Sequence, residues 1–306
     1  MAFDHKTAEA YLAERDYDRA IAECSRIIDA HPHDSTAHRI RGDAFEFRSL
    51  GRGEGSAQDH QQALNDYSKA IEIDPKDATA HAHRGRAYFW EVIDPDKAVA
   101  DLTAAIELGP RPWFYRWRGD AYSQKDDLAA AITDYSKAIE SDPGDSEAYT
   151  SRAWKYECQG EDDRAIADYT SAIEIRPQDD HAYDGRAAIY RKRGDYDKAI
   201  ADDTAVIEIE RRGIRYFPLR VCSAYVTRGK TRQAKGDFDG AIADFTAALE
   251  IKPQISFFHF RRQAYKAKGD LESAAADLRR ADELYRAGKY DEWRPRWFDE
   301  FTLLRD

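Results

Sequence analysis

One phrase recurs along this chain and constrains its fold more than any other feature. DYSKAIEIDPKDATA, which starts at Asp66, returns as DYSKAIESDPGDSEA from Asp134, as DYTSAIEIRPQDDHA from Asp168 and as DFTAALEIKPQ from Asp244. The spacing of the prolines in these phrases indicates a unit of 34 residues, interrupted by two insertions. A period of this length predicts a stack of similar supersecondary units, each of which contacts only its neighbours.

Each unit is predicted to form two helices. In residues 112–145, apolar side chains recur three to four positions apart in two series, one starting at Trp113 and the other at Leu128. The polar turn at 124–127 separates the two series and ends in Asp, a residue type that caps helices. Pro143 stops the second helix. No strand-like alternation recurs, so the sequence predicts an all-α fold.

The unit resembles the tetratricopeptide repeat. That family places Gly or Ala at position 8, aromatic residues at 11 and 24, Ala at 20 and 27, and Pro at 32. The unit 112–145 matches this pattern with Gly119, Tyr122, Ala131, Tyr135, Ala138 and Pro143, and the unit 146–179 with Ala153, Tyr156, Ala165, Tyr169, Ala172 and Pro177. The resemblance implies a right-handed superhelical solenoid of antiparallel helix pairs. Small residues let the helices approach closely, and the aromatic residues fill the space between them.

Eight repeats and one final helix account for nearly the whole chain. The repeats are predicted at 1–34, 35–77, 78–111, 112–145, 146–179, 180–213, 222–254 and 255–288, and a capping helix is predicted at 289–306. The sixth repeat departs most from the family pattern, because Asp203 stands where an aromatic residue belongs and Arg211 replaces the proline. We expect a looser or bent stack there, followed by a loop at 214–221.

Charge and cysteine content argue against several classes of protein. The net charge is −11, and it divides into −14 for residues 1–179 and +3 for residues 180–306. A globally acidic chain is a poor nonspecific binder of nucleic acid or anionic membranes, although the basic second half leaves a local exception open. The three cysteines lack metal-site spacing, no apolar run could span a membrane, and no signal peptide is recognisable. These features predict a cytoplasmic protein without a membrane partner.

No motif predicts catalysis. The glycine-rich segment at 51–55 lacks the Lys-Ser/Thr ending of a phosphate-binding loop. His31, His33 and His38 lie close in sequence without nearby cysteines, which favours ordinary surface histidines over a metal site. No Ser or Cys stands in a recognisable nucleophile motif. The prediction is a protein that is not an enzyme and has no catalytic residue, no metal site and no cofactor.

The family resemblance places the binding surface on the first helix of each pair, helix A, which lines a concave groove. A middle zone of this groove combines tryptophan, arginine and acidic residues, and Trp and Arg often anchor interfaces. Its candidate partner-binding residues are Arg86, Trp90, Trp113, Arg116, Asp120, Trp154 and Glu157. A secondary basic groove consists of Arg191, Lys192, Lys230 and Lys266. The alternative for the tryptophans is packing between helices, and the sequence leaves both options open.

Two peptide-binding modes of this family are absent from the sequence. The clamp for C-terminal carboxylates needs Lys, Asn and Arg at positions that are here occupied by His5, Glu9, Ile40, Thr79 and His83. A ladder of groove asparagines is also missing, because Asn65 is the one asparagine of the chain and lies on a second helix. Recognition by this chain must therefore use other side chains.

The sequence favours a non-catalytic scaffold that binds a protein or peptide segment in its groove. Hydrophobic anchors would enter the tryptophan-rich zone, and Arg86 and Arg116 would pair with acidic groups of the partner. One alternative is a regulatory or sensor subunit, which the insertions at 48–57 and 211–221 motivate. Another is an enzyme or an RNA-binding protein that uses the basic repeats six to eight. The sequence identifies neither the partner nor the oligomeric state.

Overall fold

The computed structural model describes residues 5–50, 56–89, 94–212 and 218–288. These residues form sixteen helices and no strand, which confirms the all-α fold. The helices are α1 (Lys6–Ala13), α2 (Tyr17–Ala30), α3 (Ser35–Ser49), α4 (Ser56–Ile73), α5 (Ala78–Ala87), α6 (Pro95–Leu108), α7 (Pro112–Gln124), α8 (Leu128–Ser141), α9 (Ser146–Cys158), α10 (Asp162–Ile175), α11 (Asp180–Arg193), α12 (Tyr196–Arg212), α13 (Pro218–Lys235), α14 (Phe238–Ile251), α15 (Ile255–Lys268) and α16 (Leu271–Arg286). The predicted capping helix at 289–306 lies outside the described residues, as do residues 51–55 and 213–217 within the insertions.

The chain divides into two compact units, residues 1–159 and residues 160–306. In the first unit, α1 packs on α2, α3 on α4, α5 on α6 and α7 on α8. Successive pairs then stack through α2 on α3, α4 on α5, α6 on α7 and α8 on α9. The second unit repeats this order from α10 to α16. Each unit is therefore a stack of helix pairs, and the odd-numbered helices are the A helices of the predicted pattern.

Aspartates begin most of the helices. The side chain of Asp127 accepts a hydrogen bond from the backbone N–H of Ala130, and that of Asp145 accepts one from Ala148. This contact satisfies one of the backbone donors that a helix leaves unpaired at its start, and is worth about 1 kcal/mol. The same type of cap is formed by Asp16, Asp34, Asp77, Asp94, Asp179, Asp237 and Asp270. The sequence pattern of a turn ending in Asp is thus confirmed as the start signal of these helices.

A glycine and an aromatic ring lock the two helices of several pairs together. The fully buried ring of Tyr135 in α8 lies against Gly119 in α7, where an added Cβ would stand 2.7 Å from Tyr135 Cε1. Gly42 with Tyr67 and Gly229 with Phe245 show the same arrangement. Glycine at this position is therefore required by the close approach of a ring.

A clamp between arginine and aspartate, which was not predicted from the sequence, recurs beside each of these rings. Arg118 in α7 donates from Nε and Nη2 to both carboxylate oxygens of Asp134 in α8, at 2.7 and 2.9 Å. Its Nη1 donates to Thr103 Oγ1 of the preceding pair at 3.0 Å. The equivalent carboxylate clamps are Arg41–Asp66, Arg84–Asp101, Arg186–Asp202, Arg228–Asp244 and Arg261–Asp277.

The clamp explains why the phrase Asp-Tyr-Ser/Thr recurs. Its aspartate binds the arginine of its own pair, its aromatic residue packs on the preceding A helix, and its Ser or Thr accepts from the arginine of the next pair. Contacts of this third type are made by Ser68, Ser136 and Thr170 of the phrase, and also by the equivalent residues Ser25, Thr103, Thr204 and Thr246. Each phrase therefore joins one helix pair internally and also fastens it to the following pair.

The sixth repeat replaces ring packing with polar contacts. Asp203 is buried, and its two carboxylate oxygens accept from Arg191 Nη1 and Thr231 Oγ1, each at 2.8 Å. Burial raises the pKa of Asp203, which the Arg191 charge partly offsets. Helix α12 continues to Arg212, because no proline stops it. The looser stack expected around Asp203 stays a prediction, but this carboxylate is firmly held.

The prediction of a loop at 214–221 is wrong for residues 218–221. The chain is helical from Pro218 onward, and Val221 is buried. Proline suits the first position of a helix, since its φ is fixed near the helical value and its missing N–H would have no intrahelical partner there. Helix α13 therefore starts before the predicted seventh repeat.

Candidate functional site

The described candidate residues of the middle zone all lie on A helices of the first unit. Arg86 belongs to α5, whereas Trp113, Arg116 and Asp120 belong to α7. Trp154 and Glu157 belong to α9. Trp90 lies outside the described residues. The sequence pattern thus predicted the helices that carry these side chains, and the structure adds what each side chain contacts.

Arg86 is held by residues of its own chain. Its Nε donates to Glu46 Oε1 at 3.0 Å, and its guanidinium carbon lies 4.6 Å from the ring centre of Trp117 and 5.4 Å from that of Phe47. Burial lowers the pKa of Arg86, but the Glu46 carboxylate outweighs it and the net pKa is raised. Arg86 is therefore a fixed cation between two aromatic rings.

The carboxylate of Glu46, which binds Arg86, belongs to a buried polar network. The hydroxyl of Tyr67 lies 2.9 Å from Asp43 Oδ1 and 2.7 Å from Glu46 Oε2, and His83 Nδ1 lies 2.5 Å from Asp43 Oδ1. Burial, followed by the charges of Asp43 and Glu46, raises the pKa of Tyr67 well above its usual range. Burial opposes ionisation of Asp43, but His83 outweighs it and lowers the pKa. The sequence pattern does not reveal this network, because its members come from three different helices.

Trp113 is part of a packed aromatic cluster. Its ring centre lies 4.1 Å from that of Phe114 and 4.6 Å from that of Trp117, both in edge-to-face geometry. The ring centre of His83 lies 5.8 Å from that of Trp113 and 5.9 Å from that of Trp117. Trp113 and Trp117 are both partly buried. Much of the Trp113 surface is therefore used inside the protein.

Arg116 lines a surface cavity of about 370 Å³ next to Trp113. Its Nε donates to Asp145 Oδ2 at 3.0 Å, and its Nη1 donates to Glu147 Oε2 at 2.5 Å. Both acids line the same cavity. An acidic group of a partner would have to compete with these two carboxylates for Arg116.

Trp154 differs from the other tryptophans, because 54% of its surface is exposed. The ammonium nitrogen of Lys155 lies 3.4 Å from its ring centre. Lys155 itself is buried, and this burial lowers its pKa. Glu157 is partly buried on the same helix. Trp154 is therefore a large aromatic side chain whose body remains available to a partner.

The side-chain carboxyl group of Asp120 has a raised pKa. It accepts a hydrogen bond of 2.7 Å from the hydroxyl of Tyr135. Burial raises its pKa to about 6, against the opposing effects of Tyr135 and Arg116. The ionised form is therefore less stable in the folded chain than in the unfolded chain.

We expect Asp120→Asn to stabilise the protein at pH 7.5 but not at pH 4. Because the folded pKa is raised, the contribution of Asp120 to stability is fully present below its usual pKa of 3.8 and is lost as the pH rises through about 6. The free energy of unfolding can rise by at most about 3 kcal/mol in the variant, and partial solvent access reduces the expected gain to about 1–2 kcal/mol. Urea unfolding at both pH values measures this gain. Asp29→Asn, at an exposed position, is the control, and an equal response of both variants to pH would contradict the assignment.

The four predicted basic residues of the second unit fall into two groups. Arg191 donates to Asp203, and Lys192 donates to Asp162 at 3.0 Å. Lys230 and Lys266 are exposed on α13 and α15, and the Lys230 ammonium lies 4.0 Å from the ring centre of Phe260. The structure therefore separates two internally paired cations from two that face solvent.

Two features are absent from the part of the chain that the structure describes, a cluster of metal ligands and a membrane-spanning helix. No group of three or more His, Cys, Asp or Glu side chains there is arranged to hold a metal ion. Among the same residues, no helix combines the length and the apolar character that crossing a bilayer requires.

Solved structures share the fold. The C-terminal part of a TPR repeat-containing protein from Cytophaga hutchinsonii aligns with a TM-score of 0.61 and 15% identity over 86% of this chain and 99% of that one. A tetratricopeptide repeat protein from Parabacteroides merdae aligns with a TM-score of 0.51 and 18% identity, over 79% and 93%. The pilus biogenesis factor PilW aligns with a TM-score of 0.55 and 17% identity, over 68% and 92%. At these identities the likeness concerns the fold alone.

Family models match the sequence itself. Models described as tetratricopeptide repeat match residues 5–52, 89–146, 135–167 and 223–255, and one described as TPR repeat matches residues 56–89. Together they span more than half of the chain. A comparison with curated proteins gives no match. With the helix pairs, the glycine–aromatic contacts and these matches in agreement, the chain belongs to the tetratricopeptide repeat family.

Proposed function

We propose that the A-helix face of residues 1–159 binds a segment of a partner protein and that the chain acts as a non-catalytic scaffold. The fold supports an interaction scaffold in general terms, since stacked helix pairs present an extended surface. The observation that carries the proposal is the exposure of Trp154, 54% of whose surface faces solvent. Tryptophan is among the residues that dominate interface energetics when a partner covers it.

The surroundings of Trp154 support an anchor role. Lys155 lies against its ring, and the side chain therefore has a defined position before binding. On the same unit, Arg86 is fixed between Phe47 and Trp117, and Phe47 is itself 36% exposed. Side chains that are already ordered lose little conformational entropy on binding. The proposed contact surface therefore has exposed aromatic groups whose positions are fixed by neighbouring cations.

The three cysteines support a reducing compartment such as the cytoplasm. Cys24 and Cys222 are buried as free thiols, and Cys158 is exposed as a free thiol. Burial raises the pKa of Cys24 to about 12, which keeps this thiol unreactive. Free thiols of this kind are typical of proteins that are not exported to an oxidising environment.

Exchanging one tryptophan at a time tests the proposal. We expect Trp154→Ala to weaken partner binding by about 2 kcal/mol or more and to change the free energy of unfolding by less than about 1 kcal/mol. The matched control is Trp113→Ala, which removes a packed ring and should cost about 2–4 kcal/mol of stability. Proteins captured by the immobilised wild-type chain from its native host are identified by mass spectrometry, and the purified partner is titrated against each variant.

The two measurements separate the possible outcomes. Unfolding is followed by circular dichroism in urea, and binding is measured well below the unfolding midpoint of each variant. A folded Trp154→Ala variant that binds the partner as tightly as the wild type would place the site elsewhere. A large loss of stability in that variant would instead assign Trp154 to the core.

A further inference from the structure

The A helices α13 and α15 of the second unit are free of acidic residues. Helix α13 has the sequence PLRVCSAYVTRGKTRQAK, with five Lys and Arg residues, and α15 has the sequence ISFFHFRRQAYKAK, with four. Neither contains Asp or Glu. The two helices contact each other. Their common face therefore carries positive charge without acids of its own.

Most of these cations are neutralised by acids of the neighbouring helices. Ion pairs with these acids are formed by, among others, Arg220, Arg228, Arg232, Lys235, Arg261 and Lys268. Lys230 and Lys266 differ, because no carboxylate of the described residues lies within 4.0 Å of either ammonium. Both lysines are exposed. Neither charge is therefore compensated by a carboxylate of the described residues.

Aromatic and amide groups lie next to Lys230, and Lys266 follows one of them, Gln263, by three residues on the same helix, which places the two on one face. The Lys230 ammonium lies 4.0 Å from the ring centre of Phe260, whose ring centre is 6.2 Å from that of His259. Gln263 Nε2 lies 2.7 Å from His259 Nε2. Burial, followed by the charges of Arg262 and Lys266, lowers the pKa of His259. We refer to Lys230, His259, Phe260, Gln263 and Lys266 as the α13–α15 patch.

We propose that the α13–α15 patch binds an acidic segment of a partner protein. Charge complementarity selects the occupant, since two uncompensated ammonium groups beside an amide and an aromatic ring match carboxylate side chains. A polyanion such as RNA fits less well, because the chain as a whole carries −11 and the patch offers few cations for a phosphate backbone. This proposal does not depend on the site proposed for residues 1–159.

A charge-matched pair of double variants tests the proposal. The full chain is titrated against a fluorescent peptide of about ten residues that alternates Glu and Ser, and binding is read by fluorescence anisotropy. Lys230→Gln with Lys266→Gln should weaken binding at least about tenfold, because both uncompensated charges are lost. Lys235→Gln with Lys268→Gln removes the same net charge from the same two helices, but these lysines are paired with Asp197 and Asp239. The control should weaken binding less than about threefold.

Three further results would overturn the proposal. One is the absence of binding by the wild-type chain at about millimolar peptide and low salt. The second is an equal loss of affinity in both double variants, which would show only a long-range effect of net charge. The third is tighter binding of a uridine oligonucleotide of equal length than of the Glu-Ser peptide, which would identify a nucleic-acid surface. A Gln-Ser peptide should not bind measurably, and circular dichroism confirms that both double variants are folded.

Discussion

Replacing Arg118 with Leu is expected to lower the free energy of unfolding by about 3–5 kcal/mol. Asp134 is 2% exposed, and Arg118 binds both of its carboxylate oxygens. Removing the arginine leaves a buried carboxylate without its counter-charge, which is among the most destabilising single changes in proteins. The variant also loses the hydrogen bond to Thr103, which fastens this helix pair to the preceding one. Urea unfolding followed by circular dichroism measures the effect.

Two controls make the Arg118 experiment specific. Arg280→Ala breaks an ion pair with Glu283 in which both side chains are about 60% exposed, and it should change stability by less than about 1 kcal/mol. The double variant Arg118→Leu with Asp134→Leu should be more stable than Arg118→Leu alone, because no uncompensated charge remains buried. A double variant that is less stable than the single one would show that the clamp does not act through charge pairing.

Gly119→Ala is expected to destabilise the chain by about 2–3 kcal/mol. The new methyl group would stand 2.7 Å from Cε1 and 2.9 Å from Cδ1 of the buried Tyr135 ring, so α7 and α8 would have to separate. Alanine has the higher helix propensity by about 1 kcal/mol, which offsets part of the cost. Thermal unfolding of the variant measures the net effect.

Gly109→Ala is the matched control for this substitution. Gly109 lies in the same unit, its φ is −177°, and an added Cβ would meet nothing within 4 Å. Alanine should therefore be tolerated there, with a change below about 0.5 kcal/mol. A second variant, Gly119→Ala with Tyr135→Phe, retains the ring and should remain destabilised. Equal stability of Gly119→Ala and Gly109→Ala would disprove the ring-contact explanation.

The helix pairs were predictable from sequence because their determinants are local. The period of apolar residues, the capping aspartates such as Asp127 and Asp145, and the proline at Pro143 all act within one 34-residue unit. Gly119 and Tyr135 were likewise recognisable from the family pattern. The prediction failed where local signals were ambiguous, as at Pro218, which begins a helix rather than continuing a loop.

The clamp could have been found in the sequence but was not. Arg118 precedes Asp134 by 16 residues, and Arg186–Asp202, Arg228–Asp244 and Arg261–Asp277 have the same spacing. The recurring arginine was therefore visible in the repeat. The role of this arginine was not visible, because pairing of long charged side chains depends on how two helices face each other.

The sequence by itself determined that this chain forms stacked helix pairs and which helices carry the candidate binding residues. Only the tertiary structure decided which of those residues are available to a partner. Arg86 pairs with a residue 40 positions away and Arg116 with one 29 positions away, whereas Lys230 and Lys266 lie within 4.0 Å of no described carboxylate. Trp113 and Trp154 were both candidate groove residues, but one packs on neighbouring rings and the other is 54% exposed. The physical reason is that helix formation depends on neighbours within a repeat, while burial and charge pairing depend on the surfaces that adjacent repeats bring together.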